Sequence, residues 1–365
     1  MAEIYYLLRK RNKEDNAAFK APIDIEEVCR RRGYIAFDIE SYPGRSNRIF
    51  QKLWLLTYCV GWWRKLYHLL GEGDTVIYQH PLYGIRIAMK WIKKAKKDKN
   101  CRFIALIHDL PTLRGPLAGD IKEANEKTAR LGDIELLKLF DAVICHNDKM
   151  GKVLTEYGID QKRIISLGLF DYLMNEDAKM PERQSDLSVA IAGNLIKGKS
   201  GYIYNIKSNG QNEGLKINLY GSNHSEEDMK EGMVWQGAYD PDELPHKLMG
   251  SFGIVWDGSS SETCSGNYGN YLRYNDPHKV SLYLVSGLPI IIWEEAALAG
   301  FIRDNKLGIT VKSLYELEDR LKRITQDEYK EMCENVKVIS EKLRSGYYFN
   351  NALDKALLII SEAPH

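Results

Sequence analysis

The stretch from Gly258 to Gly287, GSSSETCSGNYGNYLRYNDPHKVSLYLVSG, concentrates residue types that bind anions. Gly258, Gly266 and Gly269 let a backbone approach a ligand closely, because no Cβ intervenes. Asn275, His278, Lys279 and Ser281 gather around Pro277, a residue suited to the first turn of a helix. Free backbone N–H groups at that helix start, beside the Lys279 ammonium, would make a site for a diphosphate. The competing reading is a structural glycine loop leading into a core helix, with Lys279 in water.

A second constellation is AIAGNLIKGKSGYI, where a strand ends at Ala192 and Gly193, Asn194 and Lys197 occupy the turn. Such a turn presents amides and a lysine to phosphate. The string GNLIKGKS also matches a P-loop, but GYIYNIK is a poor opening for the apolar helix a P-loop needs, and no partner strand ending in Asp is evident. Tyr220 closes KINLYG, placed either to stack on a nucleobase or to pack in the core. Asp240 and Asp242 stand at the DxD spacing that holds metal in other enzymes; before a helix they read as caps. LIHDLPTLR ends a strand on His108 and Asp109, and either could take the proton from an attacking hydroxyl. A cap for the following segment is the alternative role for Asp109. IYQHP offers Gln79 and His80 at another strand end, to bond an acceptor or hold the loop.

These side chains need elements that present them together. EIYYLL, YIAFDI, DTVIYQHP, RFIALIHD, DAVICHN and RIISLGLF read as short buried strands, each closed by polar residues. Helices are predicted between them: one from a cap at Asp24 to a stop at Gly33, others over 85–97 and 125–140. Strands alternating with helices imply parallel β-α-β units in a doubly wound sheet. After a polar break at 174–186 the rhythm restarts with SVAIAGN, KINLYGS, MVWQGAY, FGIVWDG, PIIIWEE and GITVKS. The expected organisation is therefore a first Rossmann-like domain over 1–180, a second over 181–345, and a C-terminal helix in 346–365 that returns to the first. Ligands of such sheets lie beyond the C-terminal ends of the strands, in the cleft where the two domains face each other.

Composition sets limits on partners. A chain of 365 residues with 44% hydrophobic and 28% charged residues is long enough for two globular cores. Net charge is +1, which hides +7 in residues 1–180 (31 Lys+Arg against 24 Asp+Glu) and −6 in the rest (20 against 26). The basic residues form no dense patch interleaved with aromatics, so nucleic acid is not an expected partner. Six scattered cysteines without a CxxC pair argue against zinc and disulfides and fit a reducing compartment. No signal-like leader and no apolar run of membrane-spanning length stands out, so a cytoplasmic protein is expected. RSNRIFQKLWLLTYCVGWWRKLYHLL, Arg45 to Leu70, mixes Arg and Lys with tryptophans and leucines. It fits a helix in a membrane interface, or one that packs on the sheet.

Several of these segments together resemble the bacterial galactofuranosyltransferase family and the related glucosyltransferases of adhesin glycosylation. The resemblance is carried by GDTVIYQHP, LIHDLPTLR, DAVICHNDKM, GLFDYL, AGNLIK, FGIVWDG, AGFIRDNKLGI and above all TCSGNYGNYLRYNDPHKVSLYLVSGLPIIIW. It implies an α/β GT-B architecture, with the nucleotide held mainly by the second domain and the acceptor by the first. It implies transfer of a hexosyl group, galactofuranosyl or glucosyl, from a UDP-sugar to a lipid- or protein-linked glycan, without a metal or other cofactor. Gly193, Asn194, Lys197, Tyr220, Gly266, Asn275, His278 and Lys279 would hold the nucleotide sugar. Asp109, then His108, would serve as base in an inverting displacement, with Lys279 balancing the leaving diphosphate. The loop AAFKAPID, Ala17 to Asp24, would close over the site. One departure from the family pattern is Asp276, which intervenes between Asn275 and Pro277. Peripheral contact with the inner membrane face, self-association and a non-catalytic role in sugar binding stay open at this point.

Overall fold

The computed structural model of the chain describes residues 2–10, 20–40, 47–114, 132–174, 182–208 and 210–362. Among these, twelve strands form two six-stranded sheets, and every strand pair is parallel. The first sheet takes β1 (Ile4–Arg9), β2 (Ile35–Ile39), β3 (Thr75–His80), β4 (Arg102–Ile107), β5 (Ala142–Cys145) and β6 (Ile164–Ser166). The second takes β7 (Ser188–Ala192), β8 (Lys216–Tyr220), β9 (Met233–Gly237), β10 (Phe252–Val255), β11 (Ile290–Trp293) and β12 (Gly308–Val311).

Their orders are β2-β1-β3-β4-β5-β6 and β12-β11-β10-β7-β8-β9. In each sheet the chain first winds one way and then returns to the far side of its starting strand. The reversal falls between β1 and β3 in one sheet and between β7 and β10 in the other. At such a point the connections leave in opposite directions and open a crevice past the strand ends. The topology therefore fixes two crevices before any side chain is considered.

Helices cover both faces, which is why β3, β5, β7, β10 and β11 are buried along their whole length. In the first domain Tyr78, Phe103 and Val143 pack on one face, while Ile77, Ile104 and Ile144 pack on the other. The helix Lys20–Arg31 lies over the second of these faces. It is helical from Lys20 onward in the described residues, so Asp24, the expected cap, is instead a buried interior residue paired with Lys20 (2.7 Å). Of the predicted helix over 125–140, Gly132–Leu137 is helical and 115–131 lies outside the described residues.

The last two helices tie the domains together. Gln326–Ser345 packs on His278–Val285 of the second domain and stops at Gly346, whose φ of 82° gives a left-handed cap. Tyr347–Glu362 then crosses back to β5, β6 and the helix Lys20–Arg31. Asp171 caps its start by accepting from Tyr348 N (3.1 Å) and Phe349 N (2.7 Å).

Candidate active site

The crevice of the second sheet is built from the turns after β7 and β10. Gly193 leaves β7 at φ 131° with open space where a Cβ would stand. Gly258 follows β10 at φ 114°, and a Cβ there would lie 2.6 Å from the Ser265 carbonyl. Lys279 reaches back from the helix His278–Val285 to the Trp256 carbonyl (3.1 Å) and the Asp257 carboxylate (2.9 Å). Lys199, in the single turn Lys197–Ser200, comes within 5.8 Å of the Tyr268 ring. Arg114 of the first domain lies 4.9 Å above the same ring and pairs with Asp109.

Three cations thus meet two carboxylates, Asp109 and Asp257, across the cleft. Burial, and then the charges of Lys279 and Arg114, push the Lys199 ammonium below its ordinary value against the pull of Asp257 and Asp109. A multivalent anion placed among Lys199, Lys279 and Arg114 would relieve that repulsion. A nucleoside diphosphate supplies such charge.

Sequence reasoning chose Lys197 from this turn, but Lys197 is 54% exposed and pairs with Asp228. Lys199, two residues on, is the lysine brought together with Lys279. Its neighbour Tyr268 in the glycine-rich segment was the available signal. Asn194 holds its own turn, accepting from Ile196 N (3.1 Å) and Asn223 Nδ2 (3.0 Å). Gly266, at φ 69°, opens the short helix Gly266–Tyr271 with open space above it. Tyr220 is not available to a nucleobase: it is 1% exposed, its hydroxyl donates to Lys247 O (3.1 Å) and accepts from Met249 N (2.8 Å). Strand-end position did not decide its fate, because the segment 247–249 covers it. The P-loop match fails for a local reason. Ser200 is buried and donates to Asn194 O (2.8 Å), so its hydroxyl is held by its own turn and not turned toward a ligand.

The crevice of the first sheet holds a cavity of about 270 Å³, with Leu7, Ile39, Pro81 and Leu82 on its apolar walls and Arg9, Glu26, Gln79, His80 and His108 on its polar ones. The Gln79 amide presents Nε2 to Glu26 (3.4 Å) and Oε1, which only accepts, to His108 Nε2–H (2.6 Å). The free lone pair of His108 is therefore on Nδ1. His80 is fully buried at the cavity wall, and neither ring nitrogen has a protein partner. Asp109, the sequence's first choice of base, instead has one oxygen taken by Arg114 and the other buried without a partner.

The two crevices meet at Phe170. Its ring stacks on His108 (5.5 Å) and meets His146 (5.0 Å) and His278 (6.3 Å) edge-on. Burial pushes all three imidazoles below the ordinary 6.5, to about 4 for His146 and His278. The rings are therefore neutral at physiological pH. His278 stacks on Tyr172 (5.0 Å) and donates from Nε2 to Asp171 O (3.3 Å), so it fixes the junction of the domains.

Further bonds cross the junction beside it. Leu110 N donates to Tyr271 Oη (2.9 Å), and Asn147 Nδ2 to Tyr274 O (2.9 Å) and Asp276 Oδ1 (2.6 Å). Asp276 N donates to His146 Nδ1 (2.9 Å). The inserted Asp276 thus anchors the phosphate-side loop to the first domain, while Asn275 Oδ1 is left buried and unpartnered. His146 and Asn147 close the strand of DAVICHN as His108 and Asp109 close theirs. The same strand-end criterion would have found them.

Lys20 also bridges to Asp242 (3.1 Å), so that aspartate is a domain tie and not a helix cap. Of the predicted closing loop, 17–19 lies outside the described residues and Lys20–Asp24 is helical. Among the described residues no group of three His, Cys, Asp or Glu is arranged to hold a metal ion.

Two halves of one family match the two domains: "Glucosyltransferase 3-like, N-terminal domain" over 4–169 and "Glucosyltransferase 3-like, C-terminal domain" over 189–356. The β-1,6-galactofuranosyltransferase WbbI of Escherichia coli is 32% identical over 356 residues, 97% of this chain and 98% of that one. Glucosyltransferase 3 of Streptococcus gordonii is 25% identical over 79% of this chain and 80% of its own. Among solved structures, Anabaena HepE in complex with UDP-glucose superposes with a TM-score of 0.60 at 11% identity, covering 99% of this chain and 100% of that one. The lipopolysaccharide outer core galactosyltransferase WaaB gives 0.59 at 12%, covering 98% and 99%. With a GT-B fold and a relative of this identity over nearly its whole length, the chain belongs to the glucosyltransferase 3-like family of glycosyltransferases, alongside the bacterial β-1,6-galactofuranosyltransferase.

Proposed function

We propose that this protein transfers a hexosyl group, galactofuranosyl in the reading we favour, from a UDP-sugar to a hydroxyl of an acceptor glycan, with inversion and without a metal. The observation that carries the reading is the cluster of Lys199, Lys279 and Arg114 at the reversal point of the second sheet. There it faces the first-sheet cavity across the Phe170 junction. In this mechanism the acceptor sugar occupies that cavity, beside the polar side chains of Glu26, Gln79 and His108.

His108 Nδ1 takes the proton of the attacking hydroxyl as the oxygen bonds to the anomeric carbon. The bond from that carbon to the diphosphate oxygen breaks, and its electron pair leaves with UDP. Lys199, Lys279 and Arg114 stabilise the charge that grows there; such preorganised groups act most strongly where charge develops. Glu26 and Gln79 hold the His108 tautomer that keeps Nδ1 free.

The galactofuranosyl assignment is supported by the 32% relative, whose named β linkage is what inversion at an α-linked donor yields. A glucosyl donor is the second reading, favoured by the 25% relative. A thermal-shift screen against UDP, GDP, ADP, CMP and ATP tests the donor class, since a ligand of the folded state raises Tm. A shift with UDP is expected, and a shift with ATP alone would overturn the assignment. Turnover of UDP-galactofuranose against UDP-glucose then separates the two sugars, and NMR of the product's anomeric proton tests inversion.

A further inference from the structure

The helical run after β2 has a face that the fold does not cover. It consists of Arg48–Trp54, one π-helical turn Leu55–Cys59, and Val60–Leu69. Trp54, Cys59, Trp62, Trp63 and Leu66 are buried in the first domain's core. Ile49, Phe50, Leu53, Leu56 and Tyr58 instead stand 46% to 80% exposed. Ile49, Leu53 and Leu56 follow the i, i+4, i+7 spacing of a single helix face. Tyr83 extends the patch: it is 54% exposed, its carbonyl accepts from Cys59 Sγ (3.7 Å), and Gly84 beside it lies against Leu55. Single exposed leucines are ordinary, but a contiguous row of large apolar side chains marks an interaction surface.

The surroundings are cationic. Residues 41–100 carry 12 Lys+Arg against 3 Asp+Glu. Arg64 and Lys65 on the same run, and Arg86, Lys90, Lys93 and Lys97 on the adjoining helix Ile85–Lys99, are exposed. None of these six forms an ion pair with a carboxylate among the described residues.

We propose that this face docks the first domain on an anionic lipid bilayer. The apolar row would enter the boundary between headgroups and acyl chains, and the six cations would meet lipid phosphates. A second copy of the chain fits less well, because a two-fold contact would set the same unpaired cations against each other. The position of the patch also agrees with the site. Pro81 and Leu82 line the acceptor-side cavity and run directly into Tyr83 on the patch. Docking therefore brings the cavity mouth beside the lipid surface, where a lipid-borne acceptor would present its sugar. No helix among the described residues is long and apolar enough to cross a membrane, so the contact is peripheral.

Vesicle flotation of the full chain tests this, and it reads lipid binding whether or not any sugar is transferred. The chain is expected to float with phosphatidylcholine vesicles containing about 30% phosphatidylglycerol and to bind pure phosphatidylcholine about tenfold less well or worse. Binding should weaken as salt rises from about 0.1 M to about 0.5 M. The variants L53D/L56D and K90E/K93E/K97E should each lose binding about tenfold or more at unchanged Tm. Absence of the chain from the floating fraction on both lipids, or flotation of both variants like the parent, would overturn the proposal. So would a dimer in sedimentation that L53D/L56D dissociates, since that would assign the face to a second copy.

Discussion

At the scale of single residues, three lysines of the second domain have different expected roles because of what each touches. Lys279→Ala and Lys199→Ala each remove a cation from the diphosphate cluster. Each should lower kcat by roughly 2–4 kcal/mol of transition-state stabilisation. Lys197→Ala, which loses only its exposed pair with Asp228, should stay close to the parent in steady-state assays with the UDP-sugar. Equal loss in all three would show that the diphosphate reaches Lys197 as well and is not confined to the Lys199–Lys279 side of the turn. His108→Gln should cut kcat by about 100-fold or more while sparing UDP binding. Burial holds the His108 imidazole well below 6.5, so the acid limb of the kcat profile should also lie below that pH. His146 gives a stability prediction of defined sign. Its folded value of about 4 lies under the ordinary 6.5, so the unfolded chain takes up the proton first as pH falls. Stability contributed by the neutral ring above pH 6.5 is lost as pH drops through about 4. Relative to His146→Asn, which does not titrate, the parent should lose roughly 2–4 kcal/mol across that window in denaturant melts.

At the scale of elements, the reversal points of the two sheets place the chemistry and the last two helices hold it closed. Gly346 joins those helices. Its φ of 82° belongs to the left-handed region, and a Cβ there would stand 2.8 Å from a Val28 methyl. Gly346→Ala should therefore destabilise the fold by roughly 1–3 kcal/mol, read as a fall in Tm. The effect should reach the active site as well, because the helix after Gly346 is capped by Asp171, whose carbonyl receives the His278 ring. A Gly346→Ala protein with lower Tm but parental kcat would show that this helix supports stability alone.

At the scale of the whole molecule, the cleft is closed by polar ties between its walls: Leu110 to Tyr271, Asn147 to Asp276, and Lys20 to Asp242. Several buried polar atoms along it, on His80, Asp109, His146, Asn275 and Asp276, have no protein partner. In the proposed mechanism the balance of charge there comes from side chains of both domains. Excess EDTA should accordingly leave turnover of the UDP-sugar unchanged; loss of activity restored by magnesium would assign part of that charge balance to an ion.

The sequence by itself determined the alternation of strands and helices, the restart after 174–186 and the type of each strand end, because those depend on local periodicity and turn chemistry. It also carried the family resemblance, most specifically through the segment from Trp256 to Trp293. Other assignments needed the tertiary structure. Whether Tyr220 is open to a ligand depends on the segment 247–249 folding over it. The choice between Lys197 and Lys199 depends on where Lys279 and Arg114 arrive from distant elements. The advance of His108 over Asp109 depends on Gln79 and Arg114, each reaching its partner from a separate position in the fold. The role of Asp276 depends on His146 and Asn147 across the cleft. Strand-end position states which residues face a crevice; only the packing of one domain against the other decides which of them keep a free atom there.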